Sequence, residues 1–138
     1  PKIGYPLLGL GLLVNVAFQK TDYIDKDDYP KEIAAYLNKR LAPDDLIYTA
    51  NAPQIIYHLT SRNSPTPYVH PSLIWSDDNS RALGISQTEE WHKILGQNPR
   101  FIIIKNNLSP SNLMKPAMDT SYQQVMSAGP KLLVFERK

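Results

Sequence analysis

A chain of 138 residues has the length of one domain and can bury roughly 68% of its unfolded surface around a single core. Fifteen Lys and Arg against thirteen Asp and Glu leave a formal charge of +2, and the basic residues are scattered, which argues against nucleic acid as the main partner because phosphate neutralisation needs clustered cations. The absence of cysteine excludes disulfides, thiolate metal sites and cysteine nucleophiles together, and it leaves the compartment unread.

Because the chain begins at Pro1, it is expected to have been processed or excised from something longer. The run from Ile3 to Gln19 carries no charge but falls short of the ~20 apolar residues of a spanning helix. Residues 1–20 therefore read as the end of a transmembrane helix, as a buried element of the domain, or as a secretory signal. Residues 21–28, TDYIDKDD, are acidic and polar and read as a linker, with a soluble domain over 29–138.

Pro30 suits the first position of a helix, Glu32 suits its positive end, and Ile33, Tyr36, Leu37 and Leu41 recur at helical spacing until Pro43. The turn Pro43-Asp44-Asp45 releases a strand, LIYTA, at 46–50. Asn51 is expected to cap the next helix, with Gln54 as the return half of a capping box and Ile55, Ile56 and Leu59 as an inward stripe. After the polar NSPTP turn, 66–70 reads as a short strand limited by Pro71, and 72–85 as an irregular loop.

Ser86 and Glu89 make a second capping-box pattern before Trp91, Ile94 and Leu95, and Asn98-Pro99 ends that helix. FIIIK is apolar at four consecutive positions, as a central strand covered on both faces requires. Ser109-Pro110 restarts a helix, and Pro116 either kinks it or begins a second one. YQQVM and KLLVFER, separated by Ala128-Gly129-Pro130, read as two antiparallel strands. The alternation predicts an α/β layered domain with a mostly parallel central sheet, flanking helices and a C-terminal antiparallel hairpin.

The first strand-to-helix turn, TANAPQ, has no glycine and places Pro53 where a phosphate cradle needs an N–H, which argues against a nucleotide site. No G-x-S-x-G elbow or triad spacing occurs. His58, His70 and His92 are too dispersed for a local zinc motif, and Asp77-Asp78-Asn79 lacks the alternating ligands and closing Glu of a calcium loop, so no metal ligand is assigned. What remains is an aromatic and polar set: Tyr57, His58, Arg62, Tyr68, His70, Trp75, Asp77 and Asp78. Aromatic faces beside Asp and Arg suit a sugar, and the carboxyl ends of the strands are where ligands gather in open α/β sheets. The alternative is that Tyr57, Tyr68 and Trp75 pack the loop onto the core while Arg62 pairs with an acid. No catalytic residue is assigned.

DDLIYTANAPQIIYHLTSRNSPTPYVHP, followed by NPRFIIIK and KLLVFERK, resembles the C-terminal soluble domain of bacterial membrane-embedded glycosyltransferases of the GT-C class, similar to protein O-mannosyltransferases (glycosyltransferase family 39) and aminoarabinose transferases. Pro53, Tyr57, Leu59, Arg62, Pro65 and Thr66 fit that arrangement in order, and the likeness runs from about Tyr29 to the end. The resemblance implies a non-catalytic domain on the extracytoplasmic face of the bacterial inner membrane, covering the active site of a polyprenyl-phosphate-sugar-dependent transferase or positioning its acceptor. It further implies partners in the membrane-embedded part of the same polypeptide and in a glycan, lipid or protein acceptor. No cofactor is expected in this fragment, with a divalent cation left to the parent enzyme. The rival expectation is a free-standing carbohydrate-binding or protein-interaction module working through residues 72–85.

Overall fold

Successive side chains of a strand face opposite sides of its sheet, so four apolar residues in a row demand cover on both faces. That demand sets the architecture. The computed structural model describes residues 14–16, 28–70, 72–105 and 114–138, and in it Phe101, Ile102, Ile103 and Ile104 are all buried.

The elements in chain order are α1 (Tyr29–Asn38), β1 (Ile47–Ala50), α2 (Ile55–Thr60), α3 (Ser72–Trp75), α4 (Asp77–Ala82), α5 (Gln87–Gly96), β2 (Phe101–Lys105), α6 (Lys115–Ser121), β3 (Tyr122–Ala128) and β4 (Leu132–Arg137). The four strands form one mixed sheet in the order β1-β2-β4-β3. β1 lies parallel to β2, with Ile47 opposite Phe101 and Ala50 opposite Ile104. The other two pairings, β2 with β4 and β4 with β3, are antiparallel.

Alternation along the strands sorts the core into two layers. Ile47, Phe101, Ile103, Leu132 and Val134 join Ile33 and Leu37 of α1 and Ile56 and Tyr57 of α2. Tyr48, Ala50, Ile102 and Ile104 join Ile74 of α3, Trp91 and Ile94 of α5, and Met118 of α6. The helices start where local chemistry lets them. The Asp28 carboxylate accepts from the Lys31 N–H at the head of α1, and Ser76 and Ser86 do the same for Asn79 and Glu89 at the heads of α4 and α5. Pro116 sits within the first turn of α6, where its missing N–H costs nothing.

Several expectations are corrected. The sheet is mostly antiparallel rather than mostly parallel, because 66–70 forms no strand and only β1 and β2 run together. Residues 72–85 contain α3 and α4 rather than a plain loop. Asn51 does not cap α2; it adopts a left-handed conformation (φ 48°), and α2 begins four residues later without a side-chain cap. Each residue turns a helix by about 100°, so Ile55 points away from the side that Ile56 and Tyr57 bury. Ile56 is buried, whereas Ile55 is 50% exposed. The expected transmembrane end over 1–20, the linker over 21–28 apart from Asp28, and the helix from Ser109-Pro110 up to Leu113 lie outside the described residues, save 14–16, which are helical. Among the described residues no helix is long and apolar enough to cross a membrane.

The β3–β4 hairpin turns at Gly129, which has a φ of +58°. A Cβ there would strike the ring of Tyr29, which packs beside the first core layer. Glycine is required twice over, for the left-handed backbone and for the close approach. Gly129→Ala is expected to cost about 1–3 kcal/mol in urea unfolding. In combination with Tyr29→Ala the two costs should fall short of their sum, because the clash is then counted only once; strict additivity would show that the ring does not limit the turn.

Candidate functional site

The eight residues singled out in the sequence do not converge, because α2 packs in the first layer and the segment after it crosses to the second. Tyr57 points into the first layer, where its hydroxyl accepts the Thr49 N–H at 2.9 Å, fully buried. Thr49 belongs to β1, which ends the sheet, so Tyr57 supplies the partner that a further strand would otherwise give. Arg62 lies near the start of β1, its guanidinium donating to the Ala42 carbonyl at 2.8 Å. His58 is exposed in the last turn of α2.

The chain then crosses to the second layer. Gln97 donates to the Pro65 carbonyl at 2.7 Å, the Thr66 hydroxyl donates to Glu90 Oε1 at 2.6 Å, and Gln54 donates to the Val69 carbonyl at 2.8 Å. The Thr66 hydroxyl also accepts the Tyr68 N–H at 3.2 Å. Glu90 is buried on α5 and has Lys93 Nζ 3.6 Å from its other oxygen. This carboxylate went unnoticed in the sequence, since a Glu in the first turn of a helix looks like a surface residue. The one available signal was its place directly before Trp91, on the inward side of α5.

Trp75 packs edge-on against Trp91 with ring centroids 5.1 Å apart, and Trp91 meets Tyr48 in the same way at 5.8 Å. Tyr68 is half-buried against the same cluster. The Tyr48 phenol is pushed well above its ordinary value, chiefly by burial, with the nearby Tyr57 and Glu90 adding to the shift. The indole N–H of Trp75 pulls it back, although the two lie outside hydrogen-bond geometry. A phenol held neutral in this way is packing rather than an acid-base group. Tyr57 is buried in the first core, and Trp75 is half-buried against the second.

Asp77 and Asp78 are exposed in the first turn of α4, and Asp78 stands 3.9 Å from Arg81. Asp77, Ser80, Arg81, Ile85, Gln87 and Thr88 line an open depression of about 370 Å³ that reaches none of the other candidates. Among the described residues no group of His, Asp and Glu side chains is placed to hold a metal ion.

A second polar cluster sits at the opposite end of the sheet. Arg100 contacts Asp45 at 2.6 Å and Glu136 at 3.3 Å, tying the approach to β1, the start of β2 and the end of β4. Partial burial raises the Asp45 pKa, but the hydrogen bonds from Arg100 and the Ala42 N–H, with the charges of Arg100 and Arg62, outweigh it and hold the carboxyl below its ordinary value.

His70 and Val69 are exposed at the far end, beyond the carboxyl end of β1. The Gln54 hydrogen bond brings Val69, 42% exposed, to the head of α2, where Ile55 is 50% exposed. Sequence reading assigned Ile55 to the core and Val69 to a strand, so the exposure of both apolar side chains was missed. The adjacent pair Ile55-Ile56 was the available signal.

Residues 28–138 match the family described as "Putative competence-induced protein Ccs4 C-terminal domain", and the chain belongs to that family. No curated protein and no solved structure matches it. The resemblance to GT-C glycosyltransferases is overturned by this match, and with it the glycosyltransferase and mannosyltransferase assignments. The residues that carried the resemblance have scaffold work here: Tyr57 closes a sheet edge, Arg62 holds Ala42, and Pro65 and Thr66 anchor the crossing segment. A small α/β domain of another family can meet the same needs with the same residue types.

Tyr57→Phe removes one oxygen and leaves the Thr49 N–H buried without its acceptor, so chemical denaturation should show a loss of about 1–3 kcal/mol. An unchanged midpoint would mean that the edge is satisfied in another way. A carboxyl with a depressed folded pKa stabilises the fold above the unfolded value of about 3.9, and that contribution is lost as pH falls through the folded value. The stability gap between the wild type and Asp45→Asn should therefore be full near neutral pH and close below about pH 4.

Proposed function

We propose that this member of the Ccs4 C-terminal domain family is a non-catalytic protein-interaction domain whose contact surface lies beyond the carboxyl end of β1, around Ile55 and Val69. The observation that carries the reading is a pair of exposed apolar side chains, Ile55 and Val69, on two segments that the Gln54 hydrogen bond joins there, next to His70. Apolar groups held in place by a side-chain hydrogen bond offer a partner burial without first having to be ordered. The end of an open α/β sheet is also where such folds usually receive ligands.

Two further points support it over a carbohydrate-binding reading. Trp75 is half-buried and packs edge-on against Trp91, and Tyr57 faces inward, so neither ring stands fully open beside the candidate acids. The polar pairs at Glu90 and Arg100 serve joints of the scaffold. The family description links these domains to competence-induced proteins, so the partner is sought under that condition.

The test uses a photo-crosslinking residue in place of Val69 in the full-length protein, in cells with competence induced, with the same residue in place of the exposed His92 as control. A discrete protein adduct from position 69, lost in an Ile55→Glu background and absent from position 92, is expected. No adduct at 69, or the same adduct from both positions, would refute the reading.

A further inference from the structure

The two ends of the sheet are treated differently. At β1 all four residues are buried and the Thr49 N–H is taken by Tyr57. Among the described residues the only strand partner of β3 is β4, and Gln123, Gln124 and Ser127 are exposed. Among the described residues no backbone hydrogen bond ties the outer side of Gln123–Ala128 to another segment.

Natural edge strands are usually blunted by lysine, proline or inward-pointing charge. β3, Tyr122–Ala128, has none of these over seven residues. It does have a bulge at Val125, between Gln124 and Met126. That bulge has a packing cause. Tyr122 belongs to the second layer, whereas Val125, Met126 and Ala128 belong to the first, and the extra residue performs the change of face. Two ladder segments, on either side of Val125, stay open to pairing.

We propose that β3 pairs antiparallel with β3 of a second copy of this chain, continuing the sheet across a two-fold axis. A two-fold interface sets each side chain against residues of the same strand, so a strand bearing lysine or glutamate would meet its own charge. The exposed side chains of β3 are two amides and a hydroxyl, which both donate and accept and suit a self-complementary partner. The edge is narrow, so the association is weak and depends on concentration. This inference is independent of the contact surface at Ile55 and Val69.

Sedimentation of the 138-residue chain over a concentration series should show a monomer–dimer equilibrium. Gln124→Lys with Ser127→Lys, at exposed positions, should raise the dissociation constant about tenfold by setting like charges against each other. The matching Gln124→Glu with Ser127→Glu variant should be equally weakened alone. Mixing the lysine and glutamate variants should restore pairing. A monomer at every concentration would overturn the proposal. So would association that none of these charges alters, because contact would then lie elsewhere on the chain.

Discussion

Burial of both faces of β2 over Phe101, Ile102, Ile103 and Ile104 is the constraint on which the rest of the domain depends. Four consecutive apolar side chains on one strand oblige a short chain to build two helical layers. α1 and α2 supply one layer, and α3, α5 and α6 supply the other. The crossover from β1 to β2 therefore has to visit both sides of the sheet before it returns. Its irregular stretch after α2 follows from that path, and the hydrogen bonds of Pro65, Thr66 and Val69 fix it on the way.

The same constraint explains the use of polar residues. A strand at the end of the sheet that is nevertheless buried needs a partner for its outward N–H, and Tyr57 meets that need from a helix. Glu90 goes inside because Thr66 satisfies it where the crossing segment meets α5. Arg100 joins three pieces of chain at the other end of the sheet, half-exposed and so only modestly stabilising. Tyr57, a binding candidate in the sequence, thus acts in space as a joint, as do Glu90 and Arg100.

Much of the fold was legible in the sequence because local signals and core demands coincide. The FIIIK run, the Ser86 cap, the helix before Pro43 and the closing hairpin each have a cause within a few residues. Pairing partners were not legible. The stretch 66–70 has strand composition, yet its hydrogen bonds go to side chains of α2 and α5 rather than to a neighbouring strand. Counting it as a strand made the sheet seem mostly parallel. The candidate residues are dispersed for a related reason, since aromatic residues close in sequence are divided between two cores by the sheet. Order of residues alone also misassigned the family, because scaffold residues such as Tyr57 and Arg62 recur wherever the same joints are needed.

Among the described residues the sheet is covered on both faces, and Ile55 and Val69 stand exposed at the carboxyl end of β1. The account stands on β1 being part of the core despite its place at the sheet's end, and native-state hydrogen exchange tests this most directly. The amides of Ile47–Ala50 should exchange as slowly as those of Phe101–Lys105 and with the same dependence on denaturant, as one cooperative unit. Faster exchange in β1 that does not respond to denaturant would show local opening and contradict a sheet closed by Tyr57 and held between two layers.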